Sequence, residues 1–364
     1  METAAKRERA SNFELLRIVC MFFIIAHHYT VYGFVIPEGA PVTVNLVLMK
    51  LFSYAGKSFV DIFVMISGYF LVSSGPSAKK AVKLWLQVSI ISAVIALCFY
   101  ASGRASGLRG LVEGFFPILY SVYWFATTYF VLYLLSGYIN TLIRALSREG
   151  LLGLICLLTV ICSVLPTLLA ARMAASNLLL FVLLYLIAAY IRLYSPRVFE
   201  SRYCLAIGVG LNLLFLSVNM AAYSLSDSSP FCARLAVNFD AMEKIPTLLC
   251  AVFIFAGFKN LRMKSSRLVN QLGASTFGAY LLHHNPYMWD FWWKEVLHCP
   301  DYLNSPYMML HGLFAILVTY AVCVVLDMFY RFCIERPMWR HIDRYWDGWA
   351  GRLRTLRERV FCLK

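Results

Sequence analysis

The sequence predicts an all-α, polytopic integral membrane protein of about ten transmembrane helices with both termini cytoplasmic. Three observations carry that expectation. First, 61% of the 364 residues are hydrophobic and only 14% are charged, against roughly 25% charged in an ordinary soluble domain. That balance excludes a soluble globular protein, and the aromatic content excludes a disordered chain. Second, the apolar residues gather into ten stretches near the roughly 20 residues that a bilayer core requires. Third, the net charge of +14 lies between those stretches and on one side. Such a placement fits a cytoplasmic membrane face and lipid headgroups, not nucleic acid.

In chain order the expected spans are 13–35, 45–73, 82–101, 118–139, 150–170, 177–194, 203–222, 244–259, 268–289 and 307–333. The first is expected to be retained rather than cleaved as a signal peptide, being too long for an h-region and carrying Arg17, His27 and His28. With the N-terminus inside, 24 of the 33 lysines and arginines fall in inner segments and six in outer ones, which favours both ends inside and an even number of spans. Lys6, Arg7, Arg9, Lys79, Lys80 and Lys83 count among the inner ones, and Arg104, Arg109, Arg172 and Arg234 among the outer. The longest outer loops, 223–243 and 290–306, hold Tyr223, Asp227, Asp240, Asp290, Trp292 and Trp293, which either cover a site or form an interfacial belt. After Pro337, the residues Trp339, Ile342, Trp346, Trp349, Leu353, Leu356 and Val360 make one apolar helical stripe. The stripe reads as a helix on the inner leaflet or as a partner-binding strip. Eight of the eleven cysteines lie in apolar stretches as small hydrophobes. Cys232 and Cys299 fall in outer loops, where a disulfide between them stays open.

Ionisable groups inside a membrane are costly and usually functional. Arg17 and His28 stand eleven residues apart, about 20° past three full turns and about 16.5 Å along the axis, hence on one face; His27 lies about 80° away from it. Arg17 alone equally fits a side chain that snorkels to lipid phosphate. Lys57 and Asp61, four apart, read as an internal ion pair or as catalytic groups. Tyr280 and His283 share a face at a depth similar to His28, and Pro286 is expected to kink or end their helix. Trp124-Phe125 fits a platform or simple packing. Glu335 and Arg336, before Pro337, fit either a cytosolic ligand or a helix exit.

Taken together these motifs resemble the acyltransferase 3 family of integral membrane O-acyltransferases, over the chain to about residue 340. The likeness rests on arginine, ten residues, then histidine (Arg17 to His28); on the Phe63 to Phe70 run around Ser67-Gly68; on Trp124-Phe125; on Thr276-Phe277-Gly278 to Tyr280-Leu281-Leu282-His283; and on Glu335-Arg336-Pro337. Two departures stand out: the histidine is doubled at 27–28, and Gly137 stands where many relatives have proline. The resemblance implies a membrane domain over 1–340 with a basic amphipathic cytoplasmic tail over 341–364, in the cell (plasma) membrane. No extracytoplasmic hydrolase-like domain is expected.

It further implies a cytosolic acyl-CoA donor, acetyl-CoA first, with no metal, and an acceptor hydroxyl on a cell-envelope glycan or lipid-linked sugar. On that reading Arg17, Lys79, Lys80, Lys83, Glu335 and Arg336 hold the donor, since arginine recognises phosphate bidentately. His28 is the general base. Tyr280, His283 and Asn285 orient the acceptor or stabilise the oxyanion. Two other classes use the same residue types: a proton-coupled transporter with intramembrane His, Asp and Arg, and a haem protein with His27/His28 facing His283/His284.

Overall fold

Each apolar stretch expected to cross the bilayer is helical, because in lipid the backbone must satisfy its own hydrogen bonds. The computed structural model describes residues 10–361 apart from 37–40, 42, 106, 172–175, 227 and 239–240. Lys6, Arg7, Arg9, Arg172, Asp227 and Asp240 therefore lie outside the described residues. Among the described residues there is no strand. Eight helices are long and apolar enough to cross a membrane.

Helix α1 (Ser11–Gly33) is followed by α2 (Val44–Ser74), α3 (Ala78–Ala101) and the short α4 (Leu108–Phe115). Thr43 caps α2 by accepting from the Leu46 N–H, and Gly75 at φ 68° ends it in a conformation only glycine adopts freely. Helix α5 (Trp124–Ala145) starts six residues later than the expected span and runs six further. Pro117 and a turn through Ser121, at φ 54°, hold the preceding residues out of helix. Helices α6 (Arg148–Thr159) and α7 (Leu165–Leu169) form one span interrupted by a π-turn at Val160–Val164. Pro166, which lacks an N–H, stands just beyond that π-turn.

Helix α8 (Asn177–Tyr194) is buried from Leu183 to Ile191. Helices α9 (Cys204–Ser224) and α11 (Ile245–Asn260) cross closely, with the short α10 (Pro230–Asn238) between them in sequence. The ninth expected span is broken into α12 (Arg267–Ala274), α13 (Thr276–His283) and α14 (Pro286–Asp290). Ser275 turns the chain at the first break, donating its N–H to the Leu272 carbonyl. At the second, Asn285 caps α14 in front of Pro286. Helix α15 (Met308–Tyr330) passes through a π-turn at Arg331–Glu335 into α16 (Arg336–Phe361). Pro337 again follows the π-turn, so what reads in sequence as a span and a separate tail is one line of helix.

Helix α1 packs along α2 and also meets α11, α12, α13 and α15. Leu213, Leu214, Phe314, Leu317, Val325 and Phe329 point outward and exposed, as expected where lipid is the solvent. The end of the bundle where α1 begins and α15 ends, the basic face, carries Arg17, Lys79, Lys80, Lys83, Lys259, Arg331 and Arg336. Cys232 and Cys299 are free thiols, Cys299 being buried. Of the tail stripe, Trp339 is buried. The side chains of Trp349, Leu353, Leu356 and Val360 lie outside the described residues.

Candidate active site

Helix α1 supplies the centre of the site. His28 is buried, and its Nδ1 lies 2.9 Å from Nε2 of His283 on α13. His283 in turn places Nδ1 2.6 Å from the Ala279 carbonyl oxygen. A carbonyl only accepts, so with neutral rings His283 carries its proton on Nδ1 and its Nε2 is the acceptor. His28 therefore carries its proton on Nδ1 and donates it to His283. The tautomer chain leaves Nε2 of His28 as a bare lone pair, the atom a general base needs.

Two cavities meet at that ring. The one toward the basic face has a volume of about 30 Å³ and is lined by Met21, Phe63, Phe125, Phe277 and Tyr280. The other opens away from the basic face, has a volume of about 250 Å³, and is lined by His27, Tyr32, Lys57, Met242 and His284. Ile24, His28, Val60 and Trp124 border both. Met21, Ile24 and His28 follow three- and four-residue steps on α1, so one helix face forms the common wall. The α1–α2 crossing is tight at Gly56, where a Cβ would stand 2.4 Å from that of His27.

The doubled histidine is resolved by its partners. His27 holds Nδ1 2.9 Å from the Ser53 carbonyl on α2, whereas His28 faces α13. His284, which the sequence motif passes over, stacks on His28 at 4.4 Å and 14° between planes. It lies four residues after Tyr280, so the spacing that selects His283 selects it equally. Tyr280 is wedged between His284 and Phe125, 5.1 and 5.4 Å away. Asn285 is engaged elsewhere: its amide donates to the Tyr123 hydroxyl at 2.7 Å and its oxygen accepts from the Tyr287 N–H. Because His28 and His283 are in direct hydrogen-bonding contact, that pair does not flank a porphyrin.

Arg17 stands one helical turn from Met21, toward the basic face, with its Nε buried and unpartnered and one terminal nitrogen 3.7 Å from Glu14. Lys83 pairs with the buried Glu335 at 2.5 Å, and Lys79 with Asp343 at 2.6 Å, tying α3 to the end of α15 and to α16. Lys80 and Arg336 are exposed, Arg336 lying over the Phe332 ring. Lys57 and Asp61 form no ion pair within 4.0 Å among the described residues; Asp61 is fully buried and neither carboxylate oxygen has a hydrogen-bond partner.

Residues 11–328 match the acyltransferase 3 family model, an acyltransferase domain. The chain belongs to that family. It is a multi-pass membrane acyltransferase, and the match takes in Arg17, His28, Trp124, Tyr280 and His283 but ends short of Glu335-Arg336-Pro337. No curated protein and no solved structure matches it.

Proposed function

We propose that this acyltransferase moves an acyl group, acetyl first, from cytosolic acyl-CoA to a hydroxyl of a cell-envelope glycan or lipid-linked sugar, in the plasma membrane. The observation that carries this reading is the position of the His28 ring between two cavities, with its free Nε2 set by His283. The basic face is taken as cytosolic and the ten helical stretches as spans with both termini inside, following the loop charges. Donor phosphates would meet Arg17, Lys80 and Arg336 at that face, and the thioester would reach His28 past Met21 and Phe63. A sugar would enter the larger cavity, whose polar lining of His27, Tyr32, Lys57 and His284 suits hydroxyl groups.

In the transfer, Nε2 of His28 takes the proton of the acceptor hydroxyl as its oxygen attacks the thioester carbonyl. The tetrahedral adduct then collapses, the carbon–sulfur bond breaks, and the proton held by His28 passes to the departing thiolate. His283 fixes the tautomer of the neutral His28 ring beforehand, and its Nε2 goes on accepting from Nδ1–H while that ring is briefly a cation. The aromatic collar of Trp124, Phe125 and Phe277 keeps bulk water from the thioester.

The test is acetyl transfer in membranes that carry single variants, with surface-glycan acetyl esters read by NMR. His28→Ala is expected to abolish the esters, a loss of at least about 100-fold for a missing general base, while the protein still inserts. His27→Ala should retain transfer. The reverse outcome would falsify the assignment of the base.

A further inference from the structure

We infer that the amino end of α5, together with the Tyr280 hydroxyl, forms the oxyanion hole of this enzyme: a site for the negatively charged oxygen of the tetrahedral thioester adduct. The inference rests on the proposed transfer at His28 and adds the group that stabilises what that transfer creates.

A helix leaves its first N–H groups without intrahelical acceptors, and they carry the positive end of its dipole. In α5 those groups belong to Trp124, Phe125 and Ala126. Among the described residues none of the three has a backbone acceptor, and the first paired amide is that of Thr127, bonded to the Tyr123 carbonyl at 2.9 Å. Tyr123, at the N-cap position, supplies no side-chain cap; its hydroxyl is turned to Asn285 instead. This end of the helix is not in water. It forms a wall of the cavity that His28 lines, through Trp124 and Phe125.

Tyr280 supplies the second, independent observation. Its ring is 6% exposed, yet its hydroxyl has no hydrogen-bond partner. Tyr280 lines the same cavity as His28, and its ring packs 5.4 Å from that of Phe125 in the first turn of α5. A buried donor left unpaired is destabilising, and here the missing acceptor has a chemical identity. As the acceptor oxygen adds to the carbonyl carbon, the carbonyl π pair moves onto its oxygen. An O–H and two N–H groups fixed in place then meet that charge with no reorganisation, in a site shielded from water.

The measurement uses carbonyl-13C acetyl-CoA bound to the full-length protein in lipid nanodiscs. In the His28→Ala background the thioester persists, and its carbonyl stretch is expected below the value for the same molecule in water. Adding Tyr280→Phe should raise it part of the way back. A stretch at or above the aqueous value would overturn the inference, and this holds whatever the variants do to turnover. In parallel, Tyr280→Phe alone should lower turnover roughly 100- to 1000-fold, as loss of one such donor does elsewhere, with donor KM little changed. Full turnover in Tyr280→Phe beside a dead His28→Ala overturns the hole and leaves the base standing. An active His28→Ala overturns the base, and the infrared shift still decides the hole.

Discussion

The proton chain from the Ala279 carbonyl through His283 to His28 gives each imidazole a different task. Replacing His283 by glutamine keeps an amide oxygen able to accept from Nδ1 of His28; replacing it by leucine leaves that N–H buried without a partner. His283→Gln is accordingly expected to keep measurable transfer, and His283→Leu to lose about 100- to 10,000-fold in kcat. Equal losses would show that His283 only fills space. Arg17 should act on binding. Its removal should raise the donor KM about 10-fold or more with kcat nearly kept, the scale of a charged hydrogen bond; unchanged donor affinity, read by titrating CoA, removes it from that role. The Arg17–His28 stripe was legible in the sequence because helical phase alone puts both on one face. The partner of His28 was not: His283 lies 255 residues away, and no local spacing encodes which helix packs there.

Close approach of helices explains why some motif positions admit no side chain. At Gly278 a Cβ would lie 1.8 Å from a carboxylate oxygen of Asp327, so α13 and α15 can meet only through glycine there. Gly278→Ala should lower stability by about 1–3 kcal/mol through overpacking, seen as a lower midpoint of thermal unfolding in detergent. Gly153 on α6 has open space around it, so Gly153→Ala should leave the midpoint unchanged or slightly higher. An equal fall in both would point to general helix effects, not to the α13–α15 contact. Hydropathy located the helices well, since membrane spans announce themselves by composition. It did not place the start of α5, where Pro117 and the Ser121 turn prevail over apolar content. Nor did it show the break at Ser275, which a local turn makes in an otherwise apolar run; the break at Asn285 is the one that Pro286 led the sequence reading to expect. The α5 start matters most, since it puts a helix end beside His28.

For the molecule as a whole, the loop charges predict which face is cytosolic, and ion pairs between helices stand on that same face. Lys259–Glu200 links the α9 and α11 ends there, and Lys83–Glu335 links α3 to the end of α15. In intact cells a membrane-impermeant thiol reagent should label a single cysteine introduced at Ser228 but not one at Lys264. Labelling at Lys264 would invert the orientation and move Arg17 to the outer side, away from cytosolic donor. The apolar stretches, the sidedness of the charge and the Arg17–His28 alignment follow from composition and helical period, which are properties of contiguous residues. The pairing of His28 with His283, the stacking of His284 and the two cavities follow from how distant helices pack. So does the capture of Lys79 and Lys83 by Asp343 and Glu335, residues that composition alone had left free to meet a donor. Those contacts depend on shape complementarity between segments hundreds of residues apart, and no periodicity within one segment contains that information.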